Sequence, residues 1–103
     1  MAEIIWSEPA LDDLEKIADY ITLSNPFAAS KLVQRVFAVV DLLVEFPESG
    51  REPVELEGFN YREVVVNPCR VFYRIEGETI CIVHVFRQEQ DVRRYILMRE
   101  KNG

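Results

Sequence analysis

Few side chains in this chain could carry chemistry. His84 is its only histidine, and so the only group whose unperturbed pKa lies close to neutral pH. It sits between Val83 and Val85 with no Ser or Cys partner at a recognisable spacing, so a hydrolytic triad has no support and a packed strand histidine is the simpler account. Cys69 and Cys81 share no C-x-x-C spacing, and one histidine cannot complete a zinc set with them. Neither a metal nor a cofactor is expected, and both thiols read as small apolar groups in or beside the core. Arginine is the richer source, because its rigid fork binds phosphate or carboxylate bidentately and keeps its charge. Arg70, Phe72 and Arg74 alternate along a strand and share one face, opposite Val71, Tyr73 and Ile75. If the second set faces helices, the first lies on the open side of the sheet. Arg62 and Arg87, near the ends of neighbouring strands, join that face if the registers permit, and a one-residue slip reverses each. The competing account pairs these arginines with Glu63 or Glu76 across a solvated face. Further on, Arg93-Arg94-Tyr95-Ile96-Leu97-Met98-Arg99 mixes basic and apolar residues without clean segregation, a pattern suited to packing in part and binding a partner with the rest.

These residues need a frame. Glu3-Ile4-Ile5-Trp6 reads as a short strand that hands over at Ser7, an N-cap followed by Glu8 and Pro9, to a helix over Pro9–Leu23. Leu11, Leu14, Ile17, Ala18 and Ile21 form its apolar stripe, and Asp12, Asp13, Glu15, Lys16 and Asp19 fill the solvated face. Ser24-Asn25-Pro26 stops that helix and caps a second one, apolar from Ala29 through Phe46, so the two form a helical hairpin. Pro47 to Gly58 is acidic and aperiodic and reads as a surface loop. Tyr61–Val66, Arg70–Ile75 and Thr79–Phe86 then form an antiparallel meander, turned at Asn67-Pro68-Cys69 and Glu76-Gly77-Glu78. Asp91 to Lys101 is a possible helix capped by Asp91. The order β-α-α-β-β-β with a short C-terminal segment predicts a two-layer α+β domain, the helical hairpin packed on a mainly antiparallel sheet. Periodicity leaves open whether the first strand lies at an edge of that sheet or between others.

Composition sets the bounds. With 103 residues and 49% apolar content the chain reads as one domain spanning 1–103, able to fold on a single core. Its longest apolar run, Val36–Val40, falls far short of the ~18 residues of a membrane span. No membrane association is expected, and a cytoplasmic location is. Net charge is −6 but divided: residues 1–58 carry twelve acids against four cations, a balance of −8, whereas residues 59–103 carry +2. That balance opposes nonspecific nucleic-acid binding and leaves room for a local arginine surface.

The opening Ile5-Trp6-Ser7-Glu8-Pro9-Ala10-Leu11-Asp12-Asp13-Leu14-Glu15-Lys16-Ile17-Ala18-Asp19-Tyr20-Ile21 and the Phe46-Pro47 helix end resemble the RelE/ParE toxins of bacterial type II toxin–antitoxin systems. So do Tyr61-Arg62, Arg70-Val71-Phe72-Tyr73-Arg74-Ile75 and Val83-His84-Val85-Phe86-Arg87, and the likeness runs over nearly the whole chain. It implies one of two activities. RelE-like members cut mRNA in the ribosomal A site with basic residues on the open sheet face and a C-terminal Tyr or His; carried over, that set is Arg62, Arg70, Arg87 and Tyr95. ParE-like members bind DNA gyrase and stall its cleavage complex, with no catalytic centre of their own. Two departures from the nuclease pattern favour the ParE-like branch: Gln88-Glu89-Gln90-Asp91 follows Arg87 where Lys and Arg usually cluster, and Arg62–Val66 holds one cation. The Trp-Ser opening and the long acidic hairpin point the same way. Under that reading Arg70, Arg74, Arg93, Arg94 and Arg99 contact the target. A cognate ParD-like antitoxin masks the toxin with a segment that folds as it binds, and a homodimer or a toxin–antitoxin hetero-oligomer is a possible assembly. A third alternative is an inactive homologue that survives as half of a DNA-binding autorepressor complex.

Overall fold

The computed structural model describes residues 2–102, with the side chains of Leu97 and of residues 99–102 outside the description. The elements follow the predicted order: β1 (Glu3–Trp6), α1 (Glu8–Thr22), α2 (Pro26–Asp41), β2 (Arg62–Val66), β3 (Cys69–Glu76), β4 (Thr79–Arg87) and α3 (Val92–Asn102). Local chemistry accounts for the helix starts. Ser7 accepts the Ala10 amide at 3.1 Å and Asn25 accepts that of Ala28 at 3.1 Å, each with a proline in the first turn behind it. Asp91 does the same for α3, accepting the Arg94 amide at 3.2 Å. α2 is shorter than its apolar stripe predicts. It stops at Asp41 and tightens into a 3-10 turn, Leu42–Val44, before the chain reaches Pro47.

The sheet order is β1-β4-β3-β2. β2, β3 and β4 form the antiparallel meander, and β1 lies at the edge, parallel to β4. Gly77, at φ 62°, takes the first position of the two-residue β3–β4 turn, where a left-handed conformation is needed. One face carries the helical hairpin: Leu14, Ile17, Leu32, Val36 and Val40 bury against Val71, Tyr73, Ile80, Ile82 and Val85. The other face is not left open. α3 inserts Val92 and Ile96, and the chain between Leu56 and Tyr61 adds both of those side chains, over Phe72 and Phe86. The predicted two-layer core therefore gains a partial third layer at one end of the sheet.

A bulge in β4 decides which residues share a face. Phe72 pairs with His84 and Tyr73 with Ile82, so Val83 is an extra residue. Ile82 and Val85 keep to the helical face, while Val83 packs on the opposite cluster beside His84. β1 also ends level with Ile82, leaving the Val85 amide beyond its reach. Asp13 fills the gap, accepting that N–H at 3.1 Å. Its carboxylate is therefore buried and structural, not part of a solvated helix face as the spacing predicts.

Candidate target-binding surface

Arg70 lies on the face opposite the hairpin, near the start of β3, and it is not free. Its Nε and one terminal nitrogen donate to the two Glu63 oxygens at 2.8 and 2.7 Å; the terminal nitrogens also donate to the two Glu55 oxygens at 2.6 and 2.8 Å. Glu63 comes from β2, its side chain fully buried, and Glu55 from a 3-10 turn, Val54–Leu56. Two bidentate carboxylates on one guanidinium form a strongly charge-assisted network. Arg70 hydrogen bonds hold the Glu55 carboxyl down at about 2, and the same carboxylates raise the Arg70 pKa further above its already high value. The predicted pairing of Arg70 with Glu63 is present; Glu55 lies in a stretch with no periodic signal, and its role left none in the sequence.

The other arginines divide between the two faces. Arg74 shares Arg70's face, its guanidinium 4.3 Å from the centre of the Tyr61 ring. Its Nε is buried with no hydrogen-bond partner among the described residues. His84 lies half-buried in an aromatic row on this face, stacked on Phe86 at 5.4 Å and 6.3 Å from Tyr61. Arg62 and Arg87 do not join this face. Arg62 pairs with Tyr73 and Arg87 with Cys69, both part of the helical-side core, and residues directly opposite in a ladder share a face. The register thus reverses both, the outcome a one-residue slip allows. They also stand apart, since Arg62 is level with Ile82 through Tyr73; the five residues from there to Arg87 span about 16 Å, with two strand spacings of about 10 Å across. Arg62 donates to the Glu48 and Gly50 carbonyls at 3.1 and 2.8 Å and so fastens the loop after α2. Arg87 lies over Tyr20 of α1 at 5.3 Å and pairs with Glu89 at 3.2 Å.

The four-residue nuclease set is therefore not assembled. Only Arg87 and Tyr95 meet, in a groove of about 280 Å³ with Lys16, Tyr20 and Asp13. Arg93 and Arg94 project from α3 into solvent; the side chain of Arg99 lies outside the described ones. Cys69 is buried and its thiol pKa is pushed up to about 11, while Cys81, half-buried beside Glu76, is raised by burial and by that hydrogen bond. Neither is a ready nucleophile. Among the described residues no group of three His, Cys, Asp or Glu side chains could hold a metal ion, and no helix is long and apolar enough to cross a membrane.

A helical hairpin on a mixed four-stranded sheet is a fold this chain shares with the toxins of type II toxin–antitoxin systems. The likeness to known proteins is specific. The solved structure described as the chromosomal ParDE system from P. aeruginosa superposes with a TM-score of 0.72 at 27% identity, over 84% of this chain and 96% of that one. Toxin RelE2 of Caulobacter vibrioides is 38% identical over 89 residues, 84% of this chain and 92% of its own length. Toxin ParE3 of the same bacterium is 29% identical over 86 residues, covering 82% and 85%. Residues 4–92 match the family model for the ParE toxin of the type II toxin–antitoxin system parDE, and the chain belongs to that family.

Proposed function

We propose that this toxin acts by binding, not by turnover: it engages DNA gyrase, stalls the enzyme's cleavage complex, and is silenced by a cognate antitoxin in the cytoplasm. The observation that carries this reading is the fate of Arg70. At the position where the nuclease branch places a working arginine, this chain has one saturated by Glu55 and Glu63, and Arg62 and Arg87 stand on the opposite face. A guanidinium neutralised by two carboxylates gives a transferring phosphoryl group little stabilisation. Contact with a protein target falls first to Arg74, Arg93 and Arg94, with Arg99 further along α3, and Arg70 joins them only when Glu55 is displaced. Several large apolar side chains, among them Leu23, Phe27, Phe46 and Val54, are exposed, which supports a partner chain that covers them. In this reading the Arg74→Ala/Arg93→Ala/Arg94→Ala variant stays folded by circular dichroism, no longer co-elutes with purified gyrase and no longer arrests growth. A variant that still arrests growth removes these arginines from the target contact.

A second reading has two observations in its favour: Arg87 and Tyr95 share a groove with Lys16, and one relative bears the name RelE2. Under it the protein cleaves mRNA on the ribosome from that groove.

A further inference from the structure

Arg70's two partners differ in kind. Glu63 is fixed by the register of β2 and is wholly buried, whereas the Glu55 side chain keeps 36% of its surface exposed and sits on an irregular stretch. That stretch crosses the face opposite the hairpin and is pinned by Leu56 and Tyr61, which plug the aromatic cluster. Between the two plugs Gly58 and Asn60 are left-handed, at φ 86° and 63°. Gly58 donates its amide to Glu52 at 2.7 Å, so the loop is tied to itself. Val54, next to Glu55, and Phe59 turn apolar side chains to solvent.

We propose that residues 52–60 form an autoinhibitory strap, in which Glu55 occupies a seat on Arg70 that a carboxylate side chain of the target protein takes when the toxin binds. The seat is shaped for that group, because both terminal nitrogens already hold two carboxylate oxygens there at 2.6 and 2.8 Å. Exchange is feasible because Glu63 keeps the Nε side of the fork oriented while Glu55 departs. The buried cation is never left without a counter-charge, so the costly uncompensated state is avoided. The exposed Val54 and Phe59 supply apolar surface where the strap and the target would meet. This inference rests on the reading of the chain as a protein-binding toxin.

The test compares wild type with Glu55→Ala, and with Glu57→Ala as a strap variant that leaves Arg70 covered. Arginine modification by phenylglyoxal, mapped by mass spectrometry, should run about tenfold faster at Arg70 in Glu55→Ala alone, with Arg93 unchanged as the internal reference. Sodium acetate, but not sodium chloride at equal ionic strength, should slow it again. Growth arrest and plasmid linearisation by gyrase should need about tenfold less Glu55→Ala protein, in step with the fraction of open strap. A gain of this kind cannot come from unfolding. Unchanged reactivity at Arg70 overturns the strap, as does faster reactivity with equal or weaker growth arrest, which would make Glu55 a structural clamp. A stronger growth arrest without linear plasmid supports the strap and overturns the gyrase reading.

Discussion

Replacing Arg70 with methionine should destabilise the domain far more than a surface arginine could. The change leaves Glu63, whose side chain is 0% exposed, without its bidentate partner. A second cation, Arg51, lies 3.8 Å away on a side chain that is 67% exposed and holds it poorly. Breaking a buried ion pair from one side costs ~3–5 kcal/mol; the nearby Arg51 brings the expectation to the lower end, about 3 kcal/mol. For a domain of this length that lowers the melting temperature by about 12–24 °C, out of a total stability of ~5–15 kcal/mol. Removing both charges, as Arg70→Met with Glu63→Leu, should recover most of the loss, because paired apolar groups of similar volume are tolerated where one buried charge is not. Urea and thermal unfolding of wild type, both single variants and the double variant close the cycle and give the coupling directly. A loss under ~1 kcal/mol for Arg70→Met, or additive single effects, would show that the network is wet and weak, and the reasoning about Arg70 would fall with it. The cycle also governs how toxicity data are read, since an inactive Arg70 variant at physiological temperature is first of all an unfolding variant.

Acid should weaken the strap selectively. The Glu55 pKa falls from 4.5 to about 2 on folding, so its contribution is complete above the unfolded value and lost as pH drops from about 4.5 towards 2; screened by its exposure, it is worth about 1–2 kcal/mol. The stability gap between wild type and Glu55→Gln, followed by urea unfolding, should close over that window, and a constant gap contradicts the pairing. Tyr73→Phe should cost about 1–3 kcal/mol, because the phenol accepts the buried Gly50 amide at 2.9 Å and donates to the Pro47 carbonyl at 2.7 Å. Gly50→Ala should be at least as damaging, since a Cβ there comes within 2.4 Å of the Tyr73 hydroxyl and 2.8 Å of the Glu63 carbonyl; thermal melts with no shift would refute both. Ser7→Ala removes the α1 cap and a 3.3 Å bond to the Val83 carbonyl, and should lower stability by about 1–2 kcal/mol in the same assay.

The parts of this fold that were legible in sequence are those set by local chemistry. Apolar spacing and the Ser7 and Asn25 caps place α1 and α2, and β-branched and aromatic runs place the meander. What was not legible depends on chain segments far apart. The parallel pairing of β1 with β4 leaves no local signal. The bulge at Val83 is hidden because β4 is apolar towards both faces, so a slip of alternation changes nothing in its composition. That slip, with the β2 register, is why Arg62 and Arg87 cannot be assigned a face by counting. Asp13 reads as one acid among several until β1 proves too short to satisfy the Val85 amide. Among the described side chains of α3, Val92 and Ile96 are the ones buried in the aromatic cluster, while Tyr95 and Met98 stay exposed, so the apolar residues form no clear stripe.

The central claim, a toxin that binds gyrase instead of cutting message, meets its most direct test in one paired experiment. Purified protein is added to DNA gyrase with supercoiled plasmid and, in parallel, to translating ribosomes. The account predicts linearised plasmid from trapped cleavage complexes and intact message; cut message with untouched plasmid would contradict it.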